Sequence, residues 1–177
     1  METVKQIHVG NTIVGGNGSL FVMAGPCVIE DPERTLNIGR KMKEICERLG
    51  LPYIFKASFD KANRSSYTSY RGPGLTEGLR ILGDIKKELQ VPVVSDVHEV
   101  HQVEAAAEVL DVIQIPAFLC RQTDLVEAAA ATGKCVNVKK GQFLPPEDMK
   151  NVVDKIVHSG NENIMLTERG VSLGYHN

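Results

Sequence analysis

The chain has 177 residues and a mass of 19.4 kDa, enough to bury a core of its own. Lys plus Arg is 20 and Asp plus Glu is 22, a formal charge of −2 that offers no overall positive field for a nucleic acid. Apolar residues at 42% and charged residues at 24% exclude a disordered chain, and no window nears the ~18 uncharged apolar residues of a membrane span.

Residues 1–19 read as an N-terminal hairpin segment, with a turn signal at Gly15-Gly16-Asn17-Gly18, and they lack the basic start and apolar stretch of a secretory signal. Leu20 to Ala24 follows as a buried strand. Asp31 then stands as an N-cap before Pro32, and Ile38, Met42, Ile45 and Leu49 recur at helical spacing until Gly50 closes the helix. Tyr53 to Ala57 is a second strand. The long segment Ser58 to Gly74 leads to a helix carrying Leu75, Leu79, Leu82, Ile85 and Leu89 on one face. Further strands are predicted at Pro92–Asp96, Val112–Ile115, Cys135–Lys139 and Asn163–Glu168, with helices over 99–109, 121–132 and 145–158.

Strict alternation of six strands with five helices implies right-handed crossovers and a parallel sheet covered by helices. Two architectures meet that description, a doubly wound open sheet and a (β/α)8 barrel. No GxGxxG or GxxxxGK turn follows the first strand, which removes the usual argument for a nucleotide-binding open sheet.

Ligands of parallel α/β folds bind beyond the carboxyl ends of the strands. Those ends are polar here: Phe55-Lys56-Ala57-Ser58, Ser95-Asp96-Val97-His98, Ile113-Gln114, Asn137-Val138-Lys139-Lys140 and Thr167-Glu168-Arg169. Alternation puts Lys56, Ser58, Asp96, His98, Asn137, Lys139, Thr167 and Arg169 on one face. The opposite parity holds Phe55, Val93, Val138 and Leu166, suited to packing against helices. Lysines at the ends of buried strands are costly unless they meet an anion. The segment after the second strand adds Lys61, Arg64 and Arg71, and Asn63-Arg64-Ser65-Ser66 offers a guanidinium fork with hydroxyls. Arg121 is a further cation. The residue types describe a site for a small, multiply anionic substrate and do not name it.

Four cysteines lie far apart with no CxxC spacing, which predicts reduced thiols and a cytoplasmic protein. Cys46, Cys120 and Cys135 read as packing residues. Cys27 ends the first strand in Gly25-Pro26-Cys27, yet one cysteine is not a metal site. His98-Glu99-Val100-His101 has HExH spacing rather than HExxH, so its histidines do not share a helical face.

These residues, taken in order, resemble the 3-deoxy-D-manno-octulosonate 8-phosphate synthase family. The resemblance rests on Phe55-Lys56-Ala57-Ser58-Phe59-Asp60-Lys61-Ala62-Asn63-Arg64-Ser65-Ser66, Arg71-Gly72-Pro73-Gly74 and Ser95-Asp96-Val97-His98-Glu99. It continues through Gln114-Ile115-Pro116-Ala117-Phe118-Leu119, Arg121-Gln122-Thr123-Asp124-Leu125, Asn137-Val138-Lys139-Lys140 and Glu168-Arg169-Gly170. It implies a (β/α)8 barrel, of which this chain covers about six strands and five helices. The implied reaction condenses phosphoenolpyruvate with arabinose 5-phosphate, on the way to lipopolysaccharide. By similarity Lys56, Ser58, Lys61, Gln114, Lys139 and Arg169 hold phosphoenolpyruvate, and Asn63, Arg64 and Ser65 hold the sugar phosphate. Lys61, Asn63, Asp96 and Lys139 form the catalytic set. Arg121 reaches the sugar's phosphate from a neighbouring subunit of a homotetramer. The family's metal-dependent class has Cys at the position of Cys27, so a divalent ion (Zn, Fe or Mn) is implied, with Cys27 as the first of four ligands.

Two departures accompany the match. Leu173-Gly174-Tyr175-His176-Asn177 stands where the family has Phe-Gly-Tyr-Asn-Asn, and the family's other metal ligands follow the sixth strand, in sequence not present here. A barrel of this kind typically needs about 250 residues, so the chain is expected to form one incomplete barrel domain. Two other readings stay open on the residues alone: a different sugar-phosphate barrel enzyme, and a non-catalytic fragment with an anion-binding surface.

Overall fold

The computed structural model describes residues 4–16, 18 and 20–172. Asn17 of the glycine-rich turn signal and the segment Leu173 to Asn177 lie outside the described residues.

Two short strands, β1 (Gln6–Val9) and β2 (Thr12–Gly15), pair antiparallel with Val9 opposite Thr12. The turn is therefore Gly10-Asn11, not the cluster Gly15 to Gly18. Gly10 has φ 55, the left-handed backbone that primed hairpin turns demand of their first central residue. Gly15 and Gly16 carry the chain out of the hairpin instead.

Six parallel strands follow in sequential order: β3 (Val22–Ala24), β4 (Tyr53–Lys56), β5 (Val93–Asp96), β6 (Val112–Ile115), β7 (Cys135–Lys139) and β8 (Ile164–Thr167). Between them run α1 (Pro32–Leu49), α2 (Leu75–Leu89), α3 (Val100–Val109), α4 (Thr123–Ala131) and α5 (Met149–His158). The α/β reading of alternate strands and helices is observed, as is the antiparallel hairpin ahead of it. Local chemistry sets the ends. Asp31 accepts the Arg34 N–H at 2.7 Å, and Gly50 ends α1 in the left-handed conformation. Glu99 and Gln102 form a reciprocal capping box at the start of α3. The Pro145-Pro146 pair opens a single 3₁₀ turn over Pro146–Asp148, and the α-helix begins only at Met149.

The two faces of the sheet hold separate cores. Phe55, Val93, Ile113, Val136 and Val138 face the helices and join Leu82, Ile85, Val126 and Ile156 in the larger one. Gly78 lets α2 lie against the chain at Phe59, where an added Cβ would meet the Phe59 Cβ at 2.2 Å. Leu166 departs from its expected packing role: it is 48% exposed, because β8 is an edge strand with no helix laid over it among the described residues. On the other face Ile54, Val94, Val112 and Cys135 meet Ile7, Val9 and Val14, so the hairpin plugs the end where the strands begin. Cys46, Cys120 and Cys135 are buried and unpaired, and burial pushes the Cys135 thiol up to about 12.

Candidate active site

One pleat above the plug the same face turns polar. Lys56 follows Ile54 by two residues, Asp96 follows Val94, Gln114 follows Val112, and Asn137 follows Cys135, so period-two alternation brings them to one level. Register pairs Asp96 with Gln114 and Gln114 with Asn137. The side chains form one continuous row. Thr167 Oγ1 donates to Asn137 Oδ1 at 2.9 Å, and Asn137 Nδ2 donates to Gln114 Oε1 at 2.9 Å. Gln114 Nε2 in turn donates to Asp96 Oδ1. From the other side Lys56 Nζ donates to Ser58 Oγ at 3.2 Å, and Ser58 Oγ donates to Asp96 Oδ2 at 2.9 Å. Every donor runs toward Asp96. An ionised carboxylate can only accept, so its charge dictates which way both amides are turned.

Burial works against the negative charge of Asp96, but Lys56 and Lys139, with hydrogen bonds from Gln114 and Ser58, outweigh it and hold the carboxyl below its usual range. For Lys56 the balance tips the other way. Burial pushes its ammonium down to about 8 despite Asp96, and Lys61 and Lys139 push in the same direction. Lys61 Nζ stands 3.8 Å from Asp96 Oδ2. A single carboxylate thus answers three lysines, which leaves excess positive charge facing outward.

It faces a cavity of about 350 Å³ lined by Lys61, Asn63, Asp96, His98, Lys139 and Arg169, with Phe118 and Leu119 as an apolar wall. A larger groove of about 970 Å³ lies on the outside, between α2, α3 and the Gly10 turn. Two of its three cations are already answered: Lys86 pairs with Asp111 at 2.9 Å, and Arg80 with Glu77 and Asp84, which leaves Lys87. Charge demand, not volume, marks the smaller cavity as the site, and it lies at the carboxyl ends of the strands.

The segment between β4 and α2 is zipped at its stem. Lys61 N–H donates to Arg71 O at 2.7 Å, and Gly74 N–H to Phe59 O at 3.1 Å. Arg71 grips Asp60 through both oxygens, with Nε at 2.8 Å from Oδ1, so its charge is already answered within the loop. The stem fixes Lys61 and brings Asn63 to the cavity. Arg64 and Ser65 lie exposed at the tip, where Arg64 Nε donates to Tyr70 O at 3.2 Å. Arg121 is elsewhere, in a hollow of about 320 Å³ with Asp148, Asn151 and Lys155. The structure therefore gathers Lys56, Ser58, Lys61, Asn63, Asp96, Gln114, Lys139 and Arg169, and leaves Arg64, Ser65 and Arg121 outside the cavity.

Three residues of the site went unassigned in the sequence. Asn137 and Thr167 extend the row, and their parity with Lys139 and Arg169 was the available signal. His98 stands edge-on to Phe59 with ring centroids 6.2 Å apart, and its Nδ1 is buried without a partner. Burial lowers its pKa against the pull of Asp96 and Asp60, so the imidazole is neutral at neutral pH. His101 pairs instead with Glu99 at 3.2 Å, far out on the surface.

Cys27 is exposed beyond β3, near enough to Lys56 to act on its charge. Among the described residues no three His, Cys, Asp or Glu side chains converge, so these residues do not of themselves form a site for a divalent ion; Cys27 offers one donor. No helix of the described residues is long and apolar enough to cross a membrane.

Residues 3–177 match the DAHP synthetase I family. The chain is 61% identical over 174 residues to the 2-dehydro-3-deoxyphosphooctonate aldolase of Geotalea daltonii, covering 98% of this chain and 64% of that protein. Proteins of the same name from Trichlorobacter lovleyi and Fusobacterium nucleatum are 61% and 59% identical, over 98% and 100% of this chain. In each case this chain spans 64% of the relative's length.

Proposed function

This chain belongs to the DAHP synthetase I family, and from that we propose that it carries the substrate mouth of a 3-deoxy-D-manno-octulosonate 8-phosphate synthase. The reaction proposed condenses phosphoenolpyruvate with arabinose 5-phosphate and water, and releases phosphate. What carries the reading is the cavity in which Lys61, Lys139 and Arg169 converge beside one ionised carboxylate, Asp96.

The chemistry asked of these residues suits their arrangement. Phosphoenolpyruvate brings a phosphate and a carboxylate, and the lysines and Arg169 supply the matching charges. Asn63, carried in by the zipped loop, is the neighbour for the sugar. C3 of the enol attacks the aldehyde carbon, water adds to C2, and the C–O bond to phosphate breaks as the tetrahedral intermediate collapses. Lys61, Lys139 and Arg169 already line the cavity, so these donors need little rearrangement as charge develops. Asp96 holds Lys61 in place and, by accepting the Gln114 Nε2–H, orients that amide.

The six strands in sequential order, capped below by the hairpin, fit the first six of a (β/α)8 barrel. Cys27 is proposed as one thiolate ligand of a divalent ion, and Arg121 as a residue offered to a neighbouring copy in a tetramer. Activity that survives exhaustive chelation would remove the first role, and a monomer in sedimentation the second.

Titration of phosphoenolpyruvate into the protein tests the central reading. Lys139→Ala and Arg169→Ala should each weaken binding by about tenfold or more, roughly 1.4 kcal/mol. Unchanged affinity in both variants overturns it. Phosphate release that depends on arabinose 5-phosphate identifies the second substrate.

A further inference from the structure

Lys140 is the buried charge that the proposed chemistry does not use. It follows Lys139, takes the opposite parity and is only 2% exposed. Its ammonium has three N–H groups, and three backbone carbonyls receive them: Gly141 O at 3.2 Å, Leu144 O at 2.9 Å and Gly170 O at 2.9 Å. Two of those carbonyls belong to the turn after β7 and one to the turn after β8. Glu168 Oε1 stands 3.4 Å from the same nitrogen and supplies the opposite charge.

The Glu168 carboxylate also folds back on its own main chain, accepting the Arg169 N–H at 2.8 Å and the Gly170 N–H at 2.6 Å. Gly170 takes φ 74, so the chain makes a tight left-handed turn immediately after Arg169. Lys140 N–H to Thr167 O at 2.9 Å and Ser172 N–H to Gln142 O at 3.1 Å tie the same two segments on either side. Arg169 is thus gripped through its own amide and the next, between Lys140 and Glu168. It lines the cavity together with Lys139, the residue directly before Lys140.

We propose that Lys140 and Glu168 are positioning residues that lock the turn after β8 to the turn after β7, and so hold the Arg169 guanidinium over the anion site beside Lys139. A buried lysine whose three protons all go to main-chain carbonyls cannot contact a substrate. Its charge is spent on joining two loops that each deliver one cation. This rests on the reading of Arg169 as an anion ligand.

Glu168→Gln keeps the volume, and because Glu168 is largely exposed the variant should fold. The amides of Arg169 and Gly170 should then exchange with solvent about tenfold faster. Phosphoenolpyruvate should bind a few-fold more weakly, with the melting temperature little changed. Lys140→Met should do the same more strongly and also lower the melting temperature, because it takes the ammonium donor from Leu144 O and Gly170 O and leaves Gly141 O with only the Leu144 N–H. The deciding measurement is a double-mutant cycle on phosphoenolpyruvate affinity. If Glu168 acts through Arg169, adding Glu168→Gln to Arg169→Ala costs nothing further; if the two losses add in full, or exchange at Arg169 and Gly170 is unchanged in Glu168→Gln, the proposal fails. Should Arg169→Ala bind phosphoenolpyruvate as tightly as the parent, the ligand role of Arg169 falls, and with it the claim that the clasp serves the anion site, while faster amide exchange in Glu168→Gln would still establish the clasp.

Discussion

At the hairpin end of the inner sheet face, Ile54, Val94, Val112 and Cys135 are closed over by Ile7, Val9 and Val14. Two residues further along the same strands, Lys56, Asp96, Gln114 and Asn137 form a row of directed hydrogen bonds around one carboxylate. Both layers are buried, yet they hold together on different terms. The apolar layer gains in rough proportion to the area it hides and is indifferent to direction. The polar layer gains only if every donor finds its acceptor, because an orphaned buried group costs more than a made bond returns. The first layer supplies stability to the strands, and the second converts that stability into a rigid, cation-rich surface.

The contrast makes graded claims. Removing the hub of the polar layer, Asp96→Ala, should have the largest effect. It strands the Gln114 amide and leaves the lysines unanswered, for a loss of about 3 kcal/mol or more in urea unfolding and loss of phosphoenolpyruvate binding. A variant that kept its affinity would show that Asp96 is not the centre of the row. Ile54→Ala, one pleat below, should cost about 3 kcal/mol of stability, yet leave anion affinity within about twofold, since it opens a cavity without touching a donor. A parallel fall in affinity would mean that the two layers are not separable.

The smallest effect concerns Lys56. Its pKa is depressed from 10.5 to about 8 in the fold, so between those values the unfolded chain holds a proton that the folded one has lost. Stability from this group therefore rises as pH climbs from about 8 toward 10. A bound anion favours the ammonium and raises the pKa, so binding near pH 8 should take up a fraction of a proton, and affinity should fall above that pH. Calorimetry in two buffers of different ionisation enthalpy measures the uptake; none at all would separate Lys56 from the anion.

Much of this was legible from local pattern. Asp31 before Pro32, Gly50 after Leu49 and the helical spacing between them mark α1 almost to the residue, because caps and periodicity act over a few positions. Strand parity put Lys56, Asp96 and Lys139 on a common face before any register was known. The hairpin was harder. Gly10-Asn11 and the cluster Gly15 to Gly18 compete there, and the choice of Gly10-Asn11 depends on which residues β1 and β2 bury against β4 to β7, a non-local matter.

The chain's own order of residues, then, carries the alternation of strands and helices, the polar strand ends and the motifs that match a family, since each depends on neighbours a few positions apart. The distribution of charge among partners does not. Arg71 and Lys61 lie in one loop and read alike, but Arg71 is neutralised by Asp60 while Lys61 turns toward Asp96. Lys139 and Lys140 are adjacent, yet one lines the cavity and the other is sealed among carbonyls from two loops 30 residues apart. Coulombic and hydrogen-bond energies depend on distance in space, and only the folded chain sets those distances.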